Sequence, residues 1–406
     1  MTARPRGARA APWVIVAGGF HQAGGMDRAN SALADYLLDG GVLVHLVAHR
    51  VDEAYARQPA VRVHLVPRPA GSILLGGVLL RRTGHAVARQ VTTEHAGARV
   101  VVNGGNCAWS DLNWVHSVHH AWPPADRGIP LAFRLKNRVA KAVAVRDERA
   151  ALSVARLVIA NSERTRRDVL QHFRVDPARV HTVCLGCDPS WGAATPAERL
   201  SARAWLGVPD ERPLVAFVGA IGRDNNKGLD TLWGAWRVLC TRPDWDADLI
   251  VAGDGAVGTW RHAVARAGLA HRVRFLGFTD RIAELLGAAD LLVSPVRYEA
   301  YGLNVQEALC RGVPALVSAS AGVAEQFPAA LEDMLLRDPE DVSALAHALL
   351  RWRADVSGWK ARVRPVSEKL RAHTWSDMAR RIVELAHDSA RRAEPTGVSG
   401  AVAAHT

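Results

Sequence analysis

Two carboxylates with seven residues between them, Glu299 and Glu307, lie in Arg297-Tyr-Glu-Ala-Tyr-Gly-Leu-Asn-Val-Gln-Glu-Ala308. The apolar run before them, Ala289-Asp-Leu-Leu-Val-Ser-Pro295, reads as a buried strand. From Val305 the helical period takes over, and Gly312-Val-Pro314 stops that helix. Glu299 is therefore expected in a strand-to-helix loop, and Glu307 in the first turns of the helix. The backbone N–H groups of Ala300 to Asn304, those of Gly302 and Leu303 among them, open the helix where its dipole favours a phosphate. Carboxylates accept hydrogen bonds from hydroxyls. Two of them beside a phosphate site suit a ligand with hydroxyls on both sides of a phosphate, which describes a sugar nucleotide.

A second phosphate-directed device lies upstream. Leu214-Val-Ala-Phe-Val-Gly219 reads as a strand, and Leu229, Leu232 and Trp236 mark one face of a helix. The loop between them carries Arg223, a bidentate fork, and Lys227, a point charge, ahead of Gly228. Gly-x4-Gly-Lys-Ser/Thr is missing, so an ATPase reading loses its main support.

The elements that must position these groups alternate strand and helix, the pattern of an α/β chain with parallel sheets. Trp13-Val-Ile-Val-Ala17 is a first strand; a glycine loop ending in Gly24 and Gly25 leads into a helix from about 26 to 38. The spacing is not Gly-x-Gly-x-x-Gly, so a dinucleotide fingerprint is absent. Leu112-Asn-Trp-Val-His-Ser-Val-His-His-Ala-Trp122 is strand-like, with His116 and His119 at its C-terminal end, where open α/β sheets bind ligands. Histidines at i and i+3 do not share one face of a strand, which argues against zinc. Leu157-Val-Ile-Ala160 is a further strand, and Ser162 caps the helix after it. Asp248-Leu-Ile-Val-Ala-Gly-Asp-Gly255 is a strand ending at Gly253 and Asp254. Asp244-Trp-Asp-Ala-Asp248 has an Asp-x-Asp look but precedes its strand, as a surface loop would.

At 406 residues the chain is long enough for two domains. No run approaches the ~18 apolar residues of a spanning helix, and no signal-peptide core follows the N-terminal arginines, so a cytoplasmic location is expected. Five cysteines, odd in number, argue against a disulfide framework; Cys184-Leu-Gly-Cys187 has redox or zinc half-site spacing without a second pair to complete a metal site. The net charge of +11 comes almost wholly from arginine. No nucleic-acid module accompanies it, so nucleic acid is not expected as a partner. The basic segment 131–155 reads either as a solvated helix face or as a peripheral contact with an anionic membrane.

Glu-x7-Glu with Tyr-Gly-Leu inside it, followed by Glu-Ala and Gly-Val-Pro, resembles the retaining glycosyltransferases of family 4. The resemblance implies the GT-B fold: two Rossmann-like doubly wound domains facing across a cleft, with a C-terminal helix crossing back. It sets an acceptor-side domain at 12–205 plus the crossing helix 373–390, a donor domain at 211–372, and disordered tails at 1–11 and 391–406. By the resemblance Arg223, Lys227 and Gly228 contact the donor diphosphate. Glu299 takes sugar hydroxyls, Glu307 the ribose, and Gly253 with Asp254 edges the nucleoside pocket. Gly24 and Gly25 match the family's Gly-Gly loop. A histidine faces the donor sugar, His116 fitting best and His119 next. The implied activity is retaining, metal-independent transfer of a hexose-type sugar, with no cofactor, from a UDP- or GDP-linked donor. Its acceptor would be a glycan, a lipid-linked molecule or a small molecule, and the location cytoplasmic, at the inner face of the membrane where peripheral. The alternatives are a sugar-nucleotide epimerase of the same fold and a catalytically silent scaffold.

Overall fold

In the computed structural model, residues 10–22, 24–122, 131–222 and 225–393 are described. The first body is a parallel sheet of seven strands. In chain order these are β1 (Trp13–Val16), β2 (Val44–Ala48), β3 (Val61–Leu65), β4 (Arg99–Asn103), β5 (Leu112–Val115), β6 (Leu157–Ala160) and β7 (Val180–Thr182). They lie side by side as β3-β2-β1-β4-β5-β6-β7. The second sheet holds β8 (Leu214–Val218), β9 (Asp248–Ala252), β10 (Val273–Gly277), β11 (Leu291–Ser294), β12 (Ala315–Ser318) and β13 (Leu335–Leu336). Their spatial order is β10-β9-β8-β11-β12-β13, all parallel, with Ala216 of β8 opposite Leu292 of β11. Both sheets are doubly wound, so each central strand is covered on both faces and reads as continuous Val, Leu and Ile. Val14, Ile15, Leu292 and Val293 are fully buried.

Helices cover both faces. α1 (Gly25–Asp39), α2 (Ile73–Glu94), α3 (Leu131–Val154) and α4 (Glu163–His172) belong to the first body. Ser162 caps α4, its side chain accepting from the Thr165 N–H. Then come α5 (Pro196–Leu206), α6 (Leu229–Leu239), α7 (Val257–Arg266), α8 (Ile282–Ala288), α9 (Leu303–Cys310), α10 (Val342–Ala354) and α11 (Val356–Arg371). α5 buries Ala202 and Leu206 in the second core, and its Arg203 donates to the Ala288 carbonyl at 2.8 Å. Packing therefore assigns α5 to the second body, not to a first domain ending at 205. The reason is local: an apolar face at Ala202 and Leu206 needs a core, and the second sheet offers the nearest one.

The last helix, α12 (Trp375–Ala393), returns to the first body and buries Met378, Ala379 and Ile382 there. Thr374 and Asp377 cap it reciprocally: the Thr374 hydroxyl accepts from the Asp377 N–H at 3.1 Å, and Asp377 Oδ2 accepts from the Thr374 N–H at 3.0 Å. The helix continues through Ala393, so 391–393 are helical where a disordered tail was expected. Arg and Ala are good helix formers, and nothing in Arg391-Arg392-Ala393 stops propagation. Residues 1–9 and 394–406 of the expected tails lie outside the described residues. Among the described residues no helix is long and apolar enough to cross a membrane.

Candidate active site in the interdomain cleft

In an open parallel sheet, ligands bind where the strand order reverses, outside the carboxyl ends of the strands. In the second sheet that point lies between β8 and β11. The loop leaving β8 carries Lys227, and the loop leaving β11 carries Glu299. The two side chains meet: Lys227 Nζ donates to Glu299 Oε2. Arg223 lies outside the described residues.

These loops are stitched together by residues that the sequence reading passed over. Asn226 is buried and bonds Tyr298 at both ends of its amide, Nδ2 donating to the Tyr298 carbonyl at 3.0 Å and Oδ1 accepting its N–H at 3.1 Å. Arg297 grips Asp230 bidentately at 2.9 and 2.8 Å and Glu340 at 2.6 Å. The available signal was an Asn and an Arg flanking the two expected loops, but no local rule pairs them. Gly228 joins in with φ +73°, its backbone against Pro295 so closely that a Cβ would overlap the Pro295 carbonyl. Only glycine fits there.

α9 begins at Gly302, φ +112°, and no side chain caps it. The Glu299 side chain lies against Gly302, beside this helix start, whose first N–H groups have no intrahelical partner. Leu303, the first helical residue, packs beside Gly25 at the start of α1. Gly24 is the residue before α1, without a side-chain cap either. Two helix N-termini, one from each body, thus lie side by side, and the dipole of each favours negative charge nearby. The Tyr298 hydroxyl accepts from the Val118 N–H at 2.9 Å, and Ser162 Oγ donates to the Ala300 carbonyl at 2.6 Å, so the motif loop also rests on the first body.

Glu307 lies one turn into α9 and is buried. It pairs with Arg28 of α1, which stands over the rings of Trp191 and Trp375. Burial pushes the Glu307 carboxyl above its usual range, with Arg28 opposing. Neither Arg28 nor this pairing was foreseen.

His116 follows β5 directly and is buried against Trp114, ring centroids 4.4 Å apart. Neither ring nitrogen has a hydrogen-bond partner among the described residues. Burial pushes its pKa down to about 3, so the imidazole is neutral. His119 is half-exposed and engaged by Glu148 at 2.5 Å. Gly253 lies against Gly219 at the end of β8. Asp254 is exposed, and its Oδ1 accepts from the Gly255 N–H at 2.7 Å, turned to its own backbone. The Asp244, Asp246 and Asp248 carboxylates are taken up by Arg242, Arg353 and Arg212.

Known proteins share this fold. The structure aligns with WaaG, a glycosyltransferase involved in lipopolysaccharide biosynthesis, at TM-score 0.73 and 19% identity, covering 92% of this chain and 99% of that one. It aligns with Anabaena HepE in complex with UDP-glucose at TM-score 0.68 and 19% identity, covering 93% and 99%. The fold is GT-B. A family model described as Glycosyltransferase Family 4 matches residues 23–191, and one described as Glycosyl transferases group 1 matches 212–355. The first of these matches falls on the first body and the second on the second body. α-Maltose-1-phosphate synthase of Mycolicibacterium smegmatis is 33% identical over 259 residues, 59% of this chain and 64% of that protein. The chain spans about half the length of the curated relatives it matches.

Proposed function

We propose that the chain is a retaining, metal-independent glycosyltransferase that moves a hexose-type sugar from a nucleoside-diphosphate sugar to a carbohydrate, lipid-linked or small-molecule acceptor. The observation that carries this reading is the meeting of Lys227 with Glu299 beside the uncapped start of α9, at the strand-order reversal of the second sheet. The donor would divide that ion pair, the ammonium turning to the diphosphate and the carboxylate to the sugar hydroxyls. Arg223, on the same loop, would add a bidentate contact. With the N–H groups of Gly302 and Leu303, these donors face the charge that builds on the leaving diphosphate, the term that usually dominates such catalysis. Glu307 would take the ribose hydroxyls, with Arg28 as its neighbour.

In this scheme the bond from the anomeric carbon to the diphosphate oxygen breaks. The acceptor oxygen bonds to the same face, and its proton passes to the leaving phosphate oxygen. No protein base is required, and neutral His116 acts by positioning. Uridine is the base to test first, because Anabaena HepE, which shares the fold, is in complex with UDP-glucose.

A lipid-linked acceptor is favoured by the surface of the first body. α3 exposes Leu131 and Leu135, at 78% and 64%, on a helix that also carries Lys136 and Arg146, and the start of α2 exposes Ile73 and Leu75. An anionic membrane attracts such a surface through charge and apolar burial together. Peripheral residence at the cytoplasmic face follows from that reading. Thermal-shift titration with UDP, GDP, ADP and their sugar conjugates tests the whole. One of them should stabilise the protein by about 2.7 kcal/mol at a hundredfold excess over Kd. No shift with any of them would overturn the proposal.

A further inference from the structure

Cys184-Leu-Gly-Cys187 has redox spacing, but the fold gives its second cysteine a different partner. Cys187 and Cys310 are both buried, and their Sγ atoms lie 2.9 Å apart. Cys187 lies where the chain first passes between the two bodies. Its N–H donates to the His373 carbonyl at 2.8 Å, and it bridges Thr374, where the chain passes back. Cys310 ends α9, and its carbonyl accepts from Arg371 at 2.8 Å. Leu303, Gln306, Glu307 and Cys310 fall on one face of α9 at i, i+3, i+4 and i+7. That whole face rests on the first body and the crossing segment: Leu303 on Gly25, Gln306 donating to the Gly186 carbonyl at 2.7 Å, Glu307 on Arg28, Cys310 on Cys187.

We propose that Cys187 and Cys310 are a peroxide-sensitive dithiol whose disulfide pins the crossing segment to the helix that carries Glu307 and slows turnover. The Cys310 hydrogen bond holds the Cys187 thiol below its usual range, while the same bond and burial push Cys310 up. Cys187 is therefore the nucleophile and Cys310 keeps its proton. The Cys187 thiolate attacks one oxygen of hydrogen peroxide, the O–O bond breaks, and the departing hydroxide takes a proton to leave as water. Cys310 sulfur then attacks the resulting sulfenic acid, and its proton leaves with the hydroxyl as a second water. Each sulfur has given up one electron overall, and the peroxide is reduced to two waters. The sulfurs need only close from 2.9 Å to about 2.05 Å, so the rest of the α9 face stays seated. Cys184 does not compete. Burial and the neighbouring Glu325 push its thiol up to about 12, which leaves it a poor nucleophile at neutral pH.

The effect on turnover rests on the proposed transferase reading, in which product leaves when the cleft opens. The test treats the full chain with hydrogen peroxide at neutral pH, then alkylates it and maps peptides by mass spectrometry. Expected are a Cys187–Cys310 link and a fall in turnover of about fivefold or more, recovered with dithiothreitol. Cys310→Ala and Cys187→Ala should lose the sensitivity, whereas a variant with Cys107, Cys184 and Cys240 all replaced by Ser should keep it. If the alanine variants fold poorly, the triple Ser variant still decides, since only two thiols remain in it. No link, a Cys184–Cys187 link, or a Cys187–Cys310 link with unchanged turnover each overturns the inference. A reduced protein that shows no nucleoside diphosphate shift and no transfer overturns the proposed function instead, which the peptide map reads independently.

Discussion

Arg28→Ala should destabilise the protein by an amount that grows as pH rises. The Arg28 and Glu307 side chains are 18% and 11% exposed, so the pair is largely desolvated. Truncating one partner of a buried pair typically costs about 3–5 kcal/mol, because the other charge is left uncompensated. Glu307 has an escape: it can take up a proton. Burial already raises its pKa, and Arg28 is what opposes the rise. Without the guanidinium the folded-state pKa climbs further. A carboxyl that holds its proton more tightly when folded loses stability as pH rises from its unfolded value to its folded value, and stays level above that. The variant's window extends upward beyond the wild-type one, at about 1.4 kcal/mol per unit of pH. At about pH 5.5 proton uptake by Glu307 relieves the variant more than at higher pH, and the loss falls toward that of Arg28's packing over Trp191 and Trp375, about 1 kcal/mol. At about pH 8 the gap should reach about 3 kcal/mol. Equilibrium urea denaturation of both proteins at the two pH values measures it, with Arg28→Ala/Glu307→Gln as the control in which the pH dependence of the gap disappears. A gap that is constant, or that narrows toward high pH, would refute the reasoning.

Lys227→Ala should lower kcat/KM by on the order of a hundredfold through lost charge stabilisation, and Arg223→Ala similarly; wild-type rates in both would put the diphosphate elsewhere. Glu307→Gln should weaken binding of the free nucleoside diphosphate, whereas Glu299→Gln should leave it nearly intact while transfer falls; calorimetric titration showing equal losses would contradict that division of roles. Gly228→Ala should lower stability by about 3 kcal/mol or more, about 1–2 from the left-handed backbone and the rest from overlap with Pro295, read as a drop in Tm; an unchanged Tm would mean the loop is not held as described. Transfer should survive EDTA, and activity abolished by it and restored by Mg2+ would transfer the charge-neutralising role to a metal.

Local chemistry was legible in the sequence. Short apolar runs fixed the strands around Trp13, Leu157, Leu214 and Leu291, Ser162 announced its cap, and the face of Leu229, Leu232 and Trp236 is buried as its period requires. α2 escaped this reading because Gly76, Gly77 and Gly84 depress helix propensity while Ile73, Leu74 and Leu75 stand exposed, which blurs the apolar stripe. The choice between His116 and His119 was illegible for another reason: they lie one and four residues past the same strand, and only packing buries one and hands the other to Glu148. What the tertiary structure alone decided is which groups meet. Lys227 reaches Glu299 across 72 positions and Arg28 reaches Glu307 across 279. Periodicity and capping act over a few residues, whereas these meetings depend on the strand order of each sheet and on the chain's two passages between the bodies, which bring distant loops to one edge.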